Sequence, residues 1–336
     1  MNKSFVNVTE IGSIFDVLNS INDRCLVVYS PTSIKSINYN VSNIYNFVST
    51  TKISKNTDNI NKYISEFGKS INHVISIGGG TAIDIGKYIS NQLNCMLTVV
   101  PAMLSTNAYA TNKVALISNG QKNTLDSKLP DKIILDYDLI KKSLKYNLYG
   151  IADILSIHTA LNDWKLAEQD NIDKIDNKIY NMANDLLKGT IDFIHNNKYE
   201  TFNSSIDQLY YTIGQAGYIT NIYGTGRPES GSEHILAKAI EQKFDVHHGI
   251  SVTIAIIIMS IIQENIDNDI YECFRIIKII DDVKNCGISK NVLFSILKNL
   301  NPRSDRYSVV NKFSRDDDYL KSVLYKYEKV LQGDDI

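Results

Sequence analysis

The sequence is poor in proline and has almost no excess charge of either sign. Five prolines occur in 336 residues, and none lies between positions 131 and 227. Because proline interrupts helices, this gap permits long ones. With 35 basic and 37 acidic residues, the net charge is −2, so the basic excess typical of nucleic-acid binding is missing and we expect no such partner.

Cysteine is also scarce, and no hydrophobic run reaches membrane-spanning length. The four cysteines have no CxxC spacing: Cys25, Cys95, Cys273 and Cys286. Free thiols are therefore expected rather than disulfides or a structural zinc. The longest apolar run, residues 250–262, is shorter than the roughly 20 residues that span a bilayer and predicts a buried helix. Met1–Phe5 shows no signal pattern, and we expect a cytoplasmic protein without a membrane partner.

Strand and helix signals divide the chain near residue 147. Before that point, short β-branched runs alternate with amphipathic stretches, and four strands are predicted: residues 24–29, 74–77, 95–100 and 132–135. Such alternation is typical of a parallel sheet with helical crossovers, in which ligands bind at the carboxyl ends of the strands.

Beyond residue 147 the patterns are helical over these segments: 153–167, 175–187, 206–223, 234–242, 250–265 and 267–283. The predicted fold class is α/β plus all-α. A Rossmann-like parallel-sheet domain over residues 1–147 binds a dinucleotide, a helical domain over residues 148–336 binds metal and substrate, and the active cleft lies between them.

A glycine-rich turn, Gly78-Gly79-Gly80, follows one predicted strand and precedes a helical pattern. Glycines let the backbone approach a phosphate, and the helix N-terminus attracts negative charge. The run is not the GxGxxG dinucleotide motif, because Ile83 occupies the place of its last glycine. A tight turn without a ligand remains an alternative.

One carboxylate and two imidazoles, Asp153, His234 and His248, form a candidate divalent-metal site. Three protein ligands leave a coordination position open for water or substrate, as catalytic metals require. The adjacent His247 competes with His248, because neighbouring side chains on a helix point about 100° apart and one of them is expected to coordinate.

Several motifs in one order resemble the iron-containing alcohol dehydrogenase and dehydroquinate synthase superfamily. Residues 78–84 and 101–107 are similar to its cofactor loops. Residues 150–153, 163–167 and 227–234 are most similar to sn-glycerol-1-phosphate dehydrogenases. The resemblance covers residues 24–262 and implies a metal-dependent enzyme that forms homo-oligomers.

The resemblance also implies roles for individual residues. Asp153, His234 and His248 match the family's metal ligands, and His248 is favoured over His247 because the family ligand directly precedes a glycine. We expect Zn²⁺ in preference to Fe²⁺. The positions expected to bind NAD or NADP are Gly78, Gly79, Gly80, Thr81, Asp84, Ser105 and Thr111. For Asp84, stabilisation of a helix N-terminus is an alternative. No carboxylate ends the first strand, so neither dinucleotide is excluded.

Two departures from glycerol-1-phosphate dehydrogenases concern the substrate. Asn107 stands where those enzymes have a substrate-contacting aspartate, and Lys238 replaces a histidine four residues after the first metal histidine. Both changes make the pocket more positive, which favours a phosphorylated substrate, although Lys238 could instead extend into solvent. We assign Asp153, Asn107 and Lys238 to catalysis.

These expectations converge on an NAD(P)-linked oxidoreductase that interconverts a small polyol phosphate, such as sn-glycerol 1-phosphate, and its ketone. The alternative is a carbocycle-forming phosphate lyase like dehydroquinate synthase, which uses NAD transiently. That family commonly has Glu as its first metal ligand and a Gly-Gly-Lys run after the second loop, whereas this chain has Asp153 and Asn112-Lys113. A non-catalytic binding protein is a third hypothesis.

Overall fold

The computed structural model describes residues 8–22, 24–40, 47–67 and 70–334. Their contacts define two compact units. The first comprises Met1–Asn147 and Ser205–Asn221, and the second comprises Leu148–Ser204 and Ile222–Ile336. The segment Ser205–Asn221 therefore belongs to the first unit, whereas the division predicted from sequence places it in the second domain. Met1–Phe5, where no signal pattern is found, lie outside the described residues.

A six-stranded parallel sheet forms the first unit, in the order β1-β8-β5-β4-β2-β3. All eight strands of the described residues are β1 (Val8–Ile11), β2 (Cys25–Tyr29), β3 (Phe47–Ser49), β4 (His73–Gly78), β5 (Met96–Pro101), β6 (Lys113–Ser118), β7 (Gln121–Asp126) and β8 (Lys132–Leu135). The four predicted strands correspond to β2, β4, β5 and β8, and the α/β class is confirmed. The central strands are buried, as expected when helices cover a parallel sheet.

In the described part of the first unit, seven α-helices lie wholly or mostly within it: α1 (Ile14–Asn19), α2 (Pro31–Ser36), α3 (Thr50–Ile53), α4 (Thr57–Phe67), α5 (Gly80–Leu93), α6 (Tyr137–Lys141) and α10 (Ile206–Tyr223). Sequence patterns missed the antiparallel hairpin of β6 and β7. Its turn residues, Asn119 and Gly120, have φ of 53° and 74°. This left-handed geometry is the two-residue turn that Asn-Gly favours, so a usable signal was present.

The second unit is helical: α7 (Leu144–Leu155), α8 (Ile157–Gln169), α9 (Asn177–His195), α11 (Ser232–Glu241), α12 (His248–Ile262), α13 (Asn268–Ile276), α14 (Ile279–Asn285), α15 (Lys290–Lys298) and α16 (Asp317–Gln332). The expected buried helix is α12, whose residues from Gly249 to Ile262 are buried except Ile250. The predicted helix 267–283 is divided at Lys278, which has a positive φ of 60°. Among the described residues, no helix is long and apolar enough to span a membrane.

Candidate metal and cofactor sites

Asp153 lies in the last turn of α7, which begins nine residues earlier at Leu144. The expectation that residues 153–167 form one helix was therefore wrong at its start. The two helices α7 and α8 are separated at Ser156, whose hydroxyl lies 2.7 Å from the Asp153 carbonyl and 2.8 Å from the Glu229 carbonyl. Serine hydroxyls compete in this way for helix carbonyls and interrupt the helix.

The two candidate histidine ligands occupy the first turns of neighbouring helices. His234 is the third residue of α11, and His248 is the first residue of α12. The His248 Nε2 lies 3.3 Å from Asp153 Oδ1, and the His234 Nε2 lies 3.7 Å from the same oxygen. We call these side chains the Asp153–His234–His248 cluster.

The cluster has the donor set and spacing of a divalent-metal site. One ligand atom from each side chain lies within 4.8 Å of the others, and within the described residues no other group of three His, Cys, Asp or Glu side chains does so. The Asp153 Oδ1 is buried and makes no hydrogen bond. A buried carboxylate oxygen without a partner is unfavourable unless a cation completes its surroundings, so the residues fit a metal.

Two glutamate carboxylates orient the imidazoles of the cluster. The Nδ1 of His234 lies 2.7 Å from Glu233 Oε1, and the Nδ1 of His248 bonds Glu241. Glu241 also accepts a 2.7 Å bond from the Ser251 hydroxyl. Because each Nδ1 is hydrogen-bonded to a glutamate, each Nε2 faces Asp153. Metal-binding histidines are commonly oriented in this way.

Sequence reasoning did not identify Glu233 and Glu241. Glu233 is buried and accepts from the Gly231 amide at 2.6 Å and the Thr159 hydroxyl at 2.7 Å. Its position next to His234 was a weak signal. Glu241 lies seven residues before His248, a separation with no periodic meaning across the turn between α11 and α12, so only the structure brings the two together.

The side chains of the cluster strongly shift one another's pKa values. Burial alone would lower the pKa of both imidazoles, but Asp153 and the flanking glutamates raise it to about 10 for His234 and about 9 for His248. Burial would raise the pKa of Asp153, yet the two imidazoles hold that pKa well below its usual range. A metal ion would therefore take the place of two protons at neutral pH.

Close packing against Tyr149 requires a glycine at position 249, directly after His248. A Cβ at this position would lie 2.6 Å from the Tyr149 Cβ and 3.0 Å from the Tyr149 carbonyl oxygen. Tyr149 precedes Asp153 by four residues, so both lie on the same face of α7. The missing side chain thus lets the start of α12 approach α7 closely enough to bring His248 beside Asp153.

Gly231 performs a similar function at the start of α11. A Cβ there would clash with Asp163 Oδ2, which accepts a 2.6 Å bond from the Ser232 amide. The other Asp163 oxygen accepts from the Val309 amide at 2.8 Å. The 227–234 motif therefore packs the first turn of α11 against α8, and this places His234.

His247 lies beside the cluster but is not part of it. It is the N-cap of α12, and its Nδ1 accepts a 3.2 Å bond from the Gly249 amide. Its ring packs on Tyr149 with centroids 4.6 Å apart. Burial and the adjacent His248 lower the pKa of His247 to about 4, so it is neutral at pH 7.

In the first unit, the glycine turn lies where β4 meets α5, and each glycine is sterically constrained. Gly78 has a φ of 149°, and a Cβ there would lie 2.9 Å from the Cβ atoms of Ser30 and Ala82. Gly79 and Gly80 pack on Met103 and Thr106 of the segment after β5. Positive φ is thus required at Gly78. Gly79, by contrast, has a φ of −85°, so its backbone conformation does not require glycine.

The remaining predicted cofactor and substrate residues lie in different environments. Ser105 and Thr111 are buried, and Asn107 begins a short 3-10 helix, Asn107–Tyr109. Thr81 is exposed in the first turn of α5. Lys238 is exposed on α11, one turn after His234.

Asp84 lies in the second turn of α5, beyond the N-terminal turn suggested by the alternative interpretation. Its carboxylate accepts a 3.2 Å bond from the Ala115 amide. The ammonium groups of Lys55 and Lys87 each lie 3.8 Å away. In this structure Asp84 therefore joins α5 to the β6 strand.

Comparison with known proteins is consistent with this arrangement. A family model described as iron-containing alcohol dehydrogenase matches residues 12–143. The chain is 27% identical over 281 residues to the glycerol-1-phosphate dehydrogenase [NAD(P)+] of Methanococcus aeolicus, covering 78% of each chain. It is 26% identical to the enzyme of the same name from Pyrococcus horikoshii, covering 73% of this chain and 71% of the relative.

Solved structures share the fold at low sequence identity. A probable glycerol dehydrogenase from Sinorhizobium meliloti has a TM-score of 0.69 at 13% identity and covers 97% of this chain and 98% of its own. An iron-containing alcohol dehydrogenase from Thermotoga maritima has a TM-score of 0.60 at 13% identity, with the same coverage. At these identities the likeness concerns the fold.

Proposed function

Because this chain resembles iron-containing alcohol dehydrogenases over residues 12–143, in its curated relatives and in its fold, we propose that it is a metal-dependent, NAD(P)-linked dehydrogenase. Its proposed reaction interconverts a small polyol phosphate, such as sn-glycerol 1-phosphate, and the corresponding ketone. The observation that carries the proposal is the Asp153–His234–His248 cluster, with its buried and unbonded carboxylate oxygen. The names of the sequence relatives support the substrate class.

Asp153, His234 and His248 would hold the divalent metal, and we favour Zn²⁺ because one carboxylate and two imidazoles suit it. When bound, the metal would polarise the substrate oxygen as a Lewis acid, and the nicotinamide would exchange hydride with the adjacent carbon. Glu233 and Glu241 keep the imidazole Nδ1 atoms engaged, so that each Nε2 remains available as a ligand. One negative and two neutral ligands leave a divalent site positive, which favours a developing alkoxide.

The dinucleotide would bind through Gly78, Gly79, Gly80 and Thr81 at the start of α5. The N-cap Gly79 has no side chain to cap the helix, so the first amides and the positive end of the helix dipole suit a pyrophosphate. Ser105 and Thr111 would contact the nicotinamide end. Asp84 would support the loop from within, given its bonds to β6.

Asn107 and Lys238 would determine the substrate. An amide at position 107 avoids the repulsion that a carboxylate would exert on a phosphate, and an ammonium at position 238 attracts one. Lys238 follows His234 by four residues on α11, so the two side chains share a helix face. We therefore place the phosphate of the substrate near Lys238.

The decisive experiment is a substrate panel followed by nicotinamide absorbance. Zinc-loaded protein would be assayed with NADH and NADPH against dihydroxyacetone phosphate, dihydroxyacetone and other ketoses. We expect stoichiometric cofactor oxidation with the phosphorylated ketone and loss of turnover after dipicolinate treatment. Cofactor that is never net oxidised, together with phosphate release from a sugar phosphate, would replace this proposal with the lyase.

A further inference from the structure

Lys87 of α5 is a buried cation that neither the metal nor the proposed chemistry uses. Its side chain is 0% exposed, which is rare for a lysine unless it is paired. The ammonium lies 2.7 Å from the Ala108 carbonyl, 2.9 Å from that of Thr111 and 2.5 Å from that of Lys113. All three acceptors belong to the segment that leads from the 3-10 helix into β6.

The number of donors matches the number of acceptors. An ammonium has three N–H bonds, and three carbonyls of one short segment converge on it. Burial lowers the pKa of Lys87 to about 8, although the nearby Asp84 opposes this decrease. Lys87 is therefore still charged at neutral pH, and the charge strengthens its hydrogen bonds.

Helix α10 holds the opposite side of the same segment. The Asn221 side chain accepts from the Asn112 amide at 2.9 Å and donates to the Ala110 carbonyl at 2.9 Å. A Cβ at Gly217 would lie 2.9 Å from the Ala110 carbonyl carbon, so this helix packs directly on the backbone. These contacts also explain why Ser205–Asn221 belongs to the first unit.

We propose that Lys87 is a positioning residue that fixes Asn107 and Thr111 for the nicotinamide and the substrate. This inference rests on the proposed function, which assigns those two residues to ligand binding. Lys87 holds the carbonyls of the segment from α5, and Asn221 holds it from α10. The loop is thereby ordered before a ligand arrives, which reduces the entropy cost of binding.

The test compares Lys87→Met with Ser90→Ala. Methionine retains the length and apolar volume but removes the ammonium that donates to the three carbonyls. Ser90 is a buried residue of the same helix, and its hydroxyl bonds the Cys95 carbonyl at 2.7 Å, away from the segment. Lys87→Met loses three hydrogen bonds from α5 to backbone carbonyls and Ser90→Ala loses one, so Ser90→Ala controls for the loss of such a bond outside the segment.

Two measurements decide the outcome: amide hydrogen exchange of residues 107–115 and the Kd for NADH from fluorescence titration. For Lys87→Met we expect exchange in this segment to accelerate, NADH affinity to fall by about tenfold to a hundredfold, and zinc content to remain unchanged. Ser90→Ala should leave the exchange of the segment and the Kd as in the wild type. Unchanged exchange and Kd in Lys87→Met would overturn the proposal.

A second variant keeps the test decisive if Lys87→Met does not fold. Asn221→Ala removes the hydrogen bonds that α10 makes to the segment. Faster exchange confined to residues 107–115, together with weaker NADH binding, would show that buried contacts to this segment position it for the ligand. Wild-type exchange and affinity in Asn221→Ala would contradict it. If the wild-type protein binds no NADH, the proposed function fails, and the ligand-positioning role of Lys87 fails with it. If the wild type binds NADH and the Kd of the variants is unchanged, only the role of Lys87 fails.

Discussion

At the scale of single residues, the tautomer of each histidine determines whether the cluster can bind a metal. Glu241 accepts a hydrogen bond from the His248 Nδ1–H and another from the Ser251 hydroxyl. Glu241→Gln keeps the shape but removes the charge that strengthens this bond, so we expect zinc affinity to fall by about tenfold to a hundredfold. Competition titration with a chromophoric chelator measures it. The control is Glu272→Gln, an exposed glutamate paired with Arg275 on the surface, which should bind zinc as the wild type does.

The adjacent histidines give a second prediction. His248→Ala removes a ligand and should abolish tight zinc binding. His247→Ala removes the capping bond to the Gly249 amide, worth about 1 kcal/mol, and the ring contact with Tyr149, but it removes no candidate ligand and should retain zinc. Metal analysis of the purified variants and their thermal midpoints separate the two effects. Zinc lost from the His247 variant alone would mean that the imidazoles have been assigned in the wrong order.

Lys238 gives a third prediction at this scale. A charge-assisted bond to a phosphate contributes about 1.5–3 kcal/mol, so Lys238→Ala should raise KM for the phosphorylated substrate by about ten- to a hundredfold. The KM for the unphosphorylated analogue should change little in this variant. Lys243→Ala, an exposed lysine just beyond the same helix, serves as the control. Equal losses with both substrates would indicate a structural role for Lys238.

The candidate ligands could be predicted from sequence, but their supporting residues could not. Asp153, His234 and His248 stand in motifs that resemble a family, and in the structure their ligand atoms converge. Glu241, Asn221 and Lys87 act through contacts between segments far apart in the chain, and no local spacing encodes such contacts. Asp84 illustrates the difference, since its motif suggested a cofactor while its bonds lead to Ala115 and Lys87.

At the scale of helices and strands, close packing between α7 and α12 places His248. Gly249→Ala would put a Cβ 2.6 Å from the Tyr149 Cβ, so the first turn of α12 must shift. We expect weaker zinc binding, by about tenfold or more, although no ligand is changed. Gly189→Ala in α9 is the matched control, because a Cβ there meets nothing within 4 Å. That variant should bind zinc normally and be slightly more stable, since alanine favours helices.

The same scale shows where pattern reading fails. The buried strands β2, β4, β5 and β8 carry continuous β-branched runs that indicate them directly. The edge strand β1 is exposed at all four residues, and β3 has three residues, so neither has a periodic signal. Helix ends were harder to predict from sequence than helix locations. The break at Ser156 depends on local hydrogen bonds, and the break at Lys278 depends on a residue with left-handed backbone geometry.

At the scale of the whole molecule, zinc binding should be coupled to proton release and to the stability of the second unit, which contains all three candidate ligands. In the zinc-free protein, the pKa values of His234 and His248 are about 10 and 9, above the value of about 6.5 in an unfolded chain. The protonated pairs therefore stabilise the zinc-free fold fully below pH 6.5, and this contribution is lost as the pH rises through 9 to 10.

Zinc must displace both protons, so its stabilising effect should increase with pH. Below pH 9, two released protons correspond to as much as about 2.7 kcal/mol of binding free energy per pH unit. At a fixed free zinc concentration, the difference in Tm between zinc-loaded and EDTA-treated protein should therefore grow from pH 6 to pH 8. His247 does not contribute, because its pKa of about 4 leaves it neutral throughout this range. A Tm difference that stays constant with pH would show that the cluster binds zinc without releasing protons, and that the imidazoles are neutral before the metal arrives.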